Sequence, residues 1–309
     1  MTSLQAPAAV VMVRPHQFRS NPETQGDNAF QILANGSSGT ISAQALAEFD
    51  SAVETLRGAG VLVHVFDDMS EDTPDSVFPN NWFSTHAGGH VAVYPMFAGN
   101  RRKERRWDVI ELLKRNYRVQ DVIDYSGLEQ DGLSLEGTGA MVLDHIGRIA
   151  YTVKSNRADP VLLERFCTHF NFEPMVFEAK DAAGRDIYHT NVLMGIGTEY
   201  ALICLDMIVD PCRRADVAER LEETGRRVID LTREQIADFA GNALELTGDK
   251  RILALSAKAL DALRPDQIAE IEQSAEPLPL TIPTIETAGG SVRCMLAGIH
   301  LSPRERTSA

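Results

Sequence analysis

Short runs of apolar, β-branched residues recur from one terminus to the other, each closed by a turn and separated from the next by a longer amphipathic stretch. Residues 9–13 and 61–66 read as strands, as do 90–94, 117–123, 140–143 and 148–153. Further on, 191–195, 200–205, 226–229, 252–255 and 291–299 have similar branching and bounding turns. Between them, 43–59, 102–116, 160–170, 211–225, 233–239 and 256–263 read as helices. The dipeptides Asp210-Pro211 and Arg264-Pro265 punctuate helix starts and stops.

Counting the restarts gives about five strand-strand-helix-strand (ββαβ) units, or ~62 residues per unit. Radial repetition of such units would close a ring around a central channel. Evenly spaced strands of an ordinary α/β sheet would give the same pattern, and periodicity alone leaves both open. Length favours two domains only as a soft prior. No linker divides the sequence, so residues 1–309 are read as one catalytic domain.

Charge narrows the partners. A formal charge of -14 suits a soluble protein and disfavours nucleic acid, whose phosphates need a basic face. The one basic cluster, Arg101 to Arg106, is short and interrupted by Glu104. The apolar run at 8–13 lacks a basic leader and reads as a strand, not a signal peptide. No stretch approaches the ~20 apolar residues that span a bilayer. Four cysteines without CxxC spacing fit a reducing cytoplasm better than a disulfide scaffold. Neither HExxH nor paired Cys/His spacing is present, so no metal or other cofactor is expected.

Three turns carry the candidate chemistry. Cys294 follows a Gly289-Gly290 turn, His189 lies in Tyr-His-Thr-Asn, and Glu136 lies in Leu-Glu-Gly-Thr-Gly. One thiol, one imidazole and one carboxylate on separate turns are the parts of a thiol-based hydrolase. Cysteine is the strongest nucleophile among side chains once a neighbour holds it as thiolate. Imidazole, with an ordinary pKa near 6.5, exchanges protons close to neutrality. Cys167, Cys204 and Cys212 follow no such turn and read as small packing residues.

These turns occur in one order with Asp75-Ser-Val-Phe-Pro-Asn80-Asn81-Trp82, Arg101-Arg-Lys-Glu104 and Ser155-Asn-Arg157. That order resembles the guanidino-group modifying enzymes: arginine deiminases, amidinotransferases and dimethylarginine dimethylaminohydrolase. It is most similar to the citrulline utilization hydrolase (citrulline ureidase) branch, through Phe78 to Phe83 and the polar stretch Glu23 to Gln31. The resemblance implies a five-bladed α/β propeller, or pentein. It implies Cys294 as nucleophile, His189 as general acid and base, and Glu136 as the acid that orients His189 and accepts N–H bonds from substrate. Asp75 would receive the substrate α-amino group, and Arg101 and Arg157 its carboxylate, a contact that suits a planar guanidinium fork. Asn80, Asn81 and Asn191 would complete the substrate-binding set.

Two departures bear on the substrate. Asn81 and Asn191 stand where arginine deiminases carry aspartates that hold a guanidinium, a group that only donates. An amide NH₂ can instead donate to the carbonyl of a neutral ureido group. The expectation is therefore a citrulline hydrolase releasing ornithine, ammonia and carbon dioxide, with Asn81 and Asn191 steadying the oxyanion. The alternatives are an arginine or N-substituted arginine hydrolase of the same superfamily, and a non-catalytic propeller that only binds. A binder would not need thiol, imidazole and acid together. Residues 21–31 are expected to cover the channel mouth with Phe30 turned inward, and a homodimer through an outer helix is an open expectation.

Overall fold

The computed structural model describes residues 4–32 and 37–304. Five three-stranded sheets organise them. In sequence order the strands are β1 (Ala9–Pro15), β2 (Leu62–Asp68), β3 (Phe83–His86), β4 (His90–Val93) and β5 (Asp121–Asp124). Then come β6 (Met141–Asp144), β7 (Ile149–Val153), β8 (Glu173–Phe177), β9 (Met194–Ile196) and β10 (Tyr200–Ile203). The last are β11 (Arg227–Asp230), β12 (Leu244–Thr247), β13 (Arg251–Ser256), β14 (Glu276–Leu280) and β15 (Ala297–Gly298).

Four sheets share one plan: an antiparallel hairpin, a helical crossover, then a third strand parallel to the second. The fifth is assembled from both ends of the sequence. Its first strand is β15, antiparallel to β1, and β1 runs parallel to β2 across the helix Ser38–Gly58. The expected ββαβ repeat is therefore present, with one unit divided between the termini.

Local chemistry explains the crossovers. Asp159 and Asp210 cap their helices through their own carboxylates, each followed by proline at the first helical position, where a missing N–H costs nothing. The apolar stripe of the helix Pro160–Phe170 (Leu162, Leu163, Phe166, Phe170) packs on Met141, Leu143 and Ala150. Each such side chain taken fully out of water contributes about 1.5–3 kcal/mol.

The innermost strands β3, β6, β9 and β15 have few exposed atoms, and β9 lies against β6 on one side and β12 on the other. A tight turn precedes each innermost strand: Pro79–Asn81 before β3, Gly137–Ala140 before β6, Thr190–Val192 before β9, residues 238–241 before β12, and Val292–Met295 before β15. This repeated feature positions the site.

Some expected elements differ. Residues 291–299 form a helical turn and then the two-residue β15, not one strand. Residues 191–195 likewise begin as a turn, and 102–116 divides into a short 3-10 segment at Asn100–Glu104 and a helix at Trp107–Asn116. Among the described residues, no helix is long and apolar enough to cross a membrane.

Candidate active site

Because all five turns face one end of the sheet assembly, they bring together residues far apart in sequence. Cys294 is 3% exposed, on the turn after Gly289 and Gly290. Gly289 adopts φ +82, and a Cβ there would meet the Asn28 amide at 2.3–2.7 Å, so glycine is required. The Cys294 Sγ accepts from two amides, Asn191 Nδ2 at 3.2 Å and Asn242 Nδ2 at 3.3 Å.

His189 and Glu136 form the second part. Glu136 is fully buried at the edge of its turn, and its Oε2 lies 2.8 Å from His189 Nε2. With Glu136 as acceptor, Nε2 carries the proton and Nδ1 is the nitrogen left for proton exchange. A Cβ on Gly139 would come within 2.9 Å of the His189 ring, so the glycine permits this approach. Burial pushes His189 down to about 4, although Glu136 pulls the other way. That differs from the near-neutral titration expected for an unperturbed imidazole: in the free protein His189 is a neutral base. Burial would raise Glu136, but Arg157, His189 and Arg101 outweigh it and hold the carboxylate well below its usual range.

The third part is a narrow recess, with about 20 Å³ open to water-sized groups, lined by Cys294, His189, Asp75, Asn81, Arg101 and Arg157, with Thr24 and Asn28 also in its wall. Asp75 Oδ2 accepts from Asn21 at 2.7 Å, while its buried Oδ1 has no partner among the described residues. An unsatisfied carboxylate oxygen at such a depth is an acceptor awaiting a donor. Burial raises the Asp75 carboxyl.

Neither guanidinium is free. Arg101 forks onto Glu104 with both bonds at 2.9 Å, and its Nη1 lies 3.6 Å from Glu136. With the Asn81 amide turned to satisfy its neighbours, its oxygen accepts from Arg101 at 2.9 and 3.1 Å, and its nitrogen donates to Asn80 at 3.1 Å. Arg157 donates to Asp27 Oδ2 at 3.0 Å and reaches Glu136 at 3.5 Å. Burial, with crowding by Asp75 and Glu136, raises Glu104 to about 7 despite its pairing.

Set against expectation, Cys294, His189, Asp75, Asn81, Arg101 and Arg157 do share one recess. Four of the expected groups already have partners or lie behind the recess. Glu136 bonds to His189, but its oxygens are taken by Phe97 N, His189 and Arg157, and it does not line the recess. Asn80 lies behind Asn81, with Nδ2 unpartnered. Asn191 does not line the recess and gives an amide N–H to sulfur. Asn81 gives one amide N–H to Asn80 and its oxygen to Arg101, which leaves one N–H for a ligand.

The sequence reading missed Asn242, Glu104 and Asp27. Asn242 follows Gly241 in the turn before β12, the same turn-then-strand signal that flagged the other sites. Of residues 21–31, Thr24 and Asn28 line the recess, and Phe30 packs against Tyr188 and Phe239. Among the described residues, no cluster of three His, Cys, Asp or Glu side chains could hold a metal.

The sheet plan is that of a pentein-type fold, with a thiol, an imidazole and a carboxylate gathered at one end. The sequence profile described as "N,N dimethylarginine dimethylhydrolase, eukaryotic" matches residues 14–301, nearly the whole length, and the chain belongs to that family. No curated protein matches it. Among solved structures it is similar to the N-terminal domain of ArgZ, an arginine dihydrolase from the ornithine–ammonia cycle in cyanobacteria, captured with its substrate. That likeness has a TM-score of 0.73 at 16% identity, covering 94% of this protein and 97% of that one. A second is a dimethylarginine dimethylaminohydrolase bearing a 4-chloro-2-hydroxymethylpyridine adduct, at TM-score 0.65 and 12% identity, covering 97% and 100%. At these identities the likeness speaks for the fold.

Proposed function

We propose that this protein is a thiol-dependent hydrolase that cleaves the guanidino C–N bonds of an arginine-like amino acid, arginine or an N-substituted arginine. One observation carries the reading: Cys294 and His189 line the same recess as Asp75, Arg101 and Arg157. The recess thus joins a nucleophile and a base to groups that suit an α-amino acid. Family membership supports the arginine class over the citrulline expected from Asn81 and Asn191. The five sheets are proposed to close into a propeller acting as one unit.

Neutral His189 takes the thiol proton as Cys294 sulfur bonds to the guanidinium carbon. The imidazolium so formed is stabilised by Glu136 at 2.8 Å, then protonates the departing amine. Departure leaves an amidino thioether on sulfur. His189 next takes a proton from water as its oxygen adds to that carbon. If sulfur leaves, the product is citrulline. If a second ammonia leaves, a thiocarbamate remains, and its hydrolysis gives N-carboxy-ornithine, which loses carbon dioxide.

A second reading, citrulline itself as substrate, is favoured by one feature: the sulfur is flanked by the neutral amides of Asn191 and Asn242 rather than by carboxylates. Incubating the protein separately with arginine, dimethylarginine and citrulline, then measuring ornithine, citrulline and ammonia, separates the readings. Arginine or dimethylarginine consumption supports the first. Turnover of citrulline alone supports the second, and no turnover of any supports a binding protein.

A further inference from the structure

Behind the turns, at the other end of the innermost strands, lies a second cavity. One strand from each of the five sheets walls it: Thr85 on β3, Leu143 on β6, Ile196 on β9, Leu244 on β12 and Gly298 on β15. The space inside it open to water-sized groups is about 40 Å³. Its polar lining is Gln5, Ser84, Thr85, Thr138, His145, Arg293 and His300, and no carboxylate lines it among the described residues.

Arg293 is the unusual member. It immediately precedes Cys294, so the helical turn sends one side chain to each end of the strands. Among the described residues its guanidinium makes one hydrogen bond, from Nη1 to the Leu296 carbonyl at 3.1 Å. A guanidinium has five N–H donors and a permanent charge. No acidic side chain within ion-pair distance of Arg293 is found among the described residues, although Arg101, Arg157 and the neighbouring Arg226 each have at least one. A buried charge is normally matched by an opposite one. Burial lowers Arg293 to about 10, which leaves it charged at neutral pH. His145 and His300 stack with ring centroids 3.8 Å apart, and burial together with the positive charge of Arg293 holds His300 at about 4. The cavity therefore carries one net positive charge in a protein of formal charge -14. Arg293, His145 and His300 are half-buried, so a small ligand can reach them.

We propose that this cavity binds a small oxyanion, of the phosphate or carboxylate class, on the Arg293 guanidinium with Thr138 and the imidazole pair beside it. The planar fork of arginine matches two oxygens of either anion. The site is separate from the thiol recess, and the inference does not depend on the hydrolase reading. Occupancy would also be felt at Cys294, because Arg293 and the sulfur interact electrostatically and an anion on Arg293 cancels its favourable field on a thiolate.

The test is thermal unfolding of the full-length protein titrated with inorganic phosphate and, separately, with acetate, against chloride at matched ionic strength. A saturable rise in Tm with either oxyanion, absent with chloride, is expected, and the more effective anion identifies the source chemistry. Arg293→Gln should abolish the rise and Arg293→Lys should retain part of it. If Arg293→Gln fails to fold, ³¹P line broadening of phosphate by the unaltered protein and by His300→Asn replaces it, with at least a threefold loss of affinity expected in the variant. Phosphate should also slow iodoacetamide alkylation of Cys294 in the parent but not in Arg293→Gln. No saturable effect of either oxyanion, or an effect that survives Arg293→Gln and disappears in Arg157→Gln, would overturn the proposal.

Discussion

The two ends of the innermost strands treat arginine in opposite ways. At the cysteine end, Arg101 and Arg157 are each matched by carboxylates, from Glu104, Glu136 and Asp27. At the far end, Arg293 faces a cavity with no acid. The same residue type is thus used once as part of a neutralised network and once as an isolated charge. A network near balance accepts a zwitterionic amino acid by exchanging partners, so the net charge of the recess need not change. An isolated charge favours an anion.

Several substitutions would break or sharpen that contrast. The largest effect is expected at the sulfur: Cys294→Ser should lower kcat by at least ~10³-fold, since a nucleophile has no substitute in the mechanism. Steady-state ammonia release checks this. Glu136→Gln keeps the shape of the network but removes the charge that stabilises imidazolium, and should cost about 10²–10³-fold in kcat with a smaller change in KM. Asn242→Ala removes one of two donors to sulfur, a loss on the order of 1.4 kcal/mol, or about tenfold in kcat/KM. Alkylation of Cys294 should slow in parallel.

The smallest expected effect concerns Asp27, in the 21–31 stretch. In this structure the Asp27 carboxylate holds Arg157, the arginine expected to take the substrate carboxylate. A ligand must displace it, and a competitor of this kind taxes apparent affinity. Asp27→Asn should lower KM by about two- to tenfold while leaving kcat nearly unchanged. A raised KM would mean that Asp27 belongs to the binding site itself.

The pH dependence follows from the burial of His189. Its folded value, about 4, lies below its ordinary 6.5, so the base form persists well into acid. The acid limb of kcat/KM should therefore fall near 4 rather than 6.5. For stability the sign is fixed by proton binding: between those values the unfolded state binds the proton and the fold does not. Stability attributable to His189 is lost as pH falls through that window. Glu104 acts oppositely: raised from 4.5 to about 7, it contributes stability below 4.5 that is lost as pH rises through 7.

Much of this arrangement was legible in the sequence, and what escaped did so for physical reasons. Strands β1, β7, β10 and β13 announced themselves because their branched apolar runs are nearly continuous. Edge strands β8 and β14 did not, because Pro174, Pro277 and Pro279 argue against a strand unless it lies at an edge, where the missing donor faces no partner. Strand β3 was hidden by Ser84, Thr85 and His86, polar residues that are buried here. Cys294, His189 and Glu136 stood out by residue type on glycine-rich or polar turns. Asn242 did not, since an asparagine in a turn has many ordinary reasons to be there. The Asp27–Arg157 pair spans 130 residues and leaves no local trace. Asn81 and Asn191 stood out as well, but the direction of their amides depends on Arg101, Asn80 and Cys294, contacts that only folding creates.

The most direct test of the central claim is intact and peptide mass spectrometry of the protein acid-quenched during turnover of arginine or dimethylarginine. A covalent adduct confined to the peptide carrying Cys294, and absent from Cys294→Ser, is expected. Full turnover by Cys294→Ser, with no adduct on the parent at any time point, would contradict it.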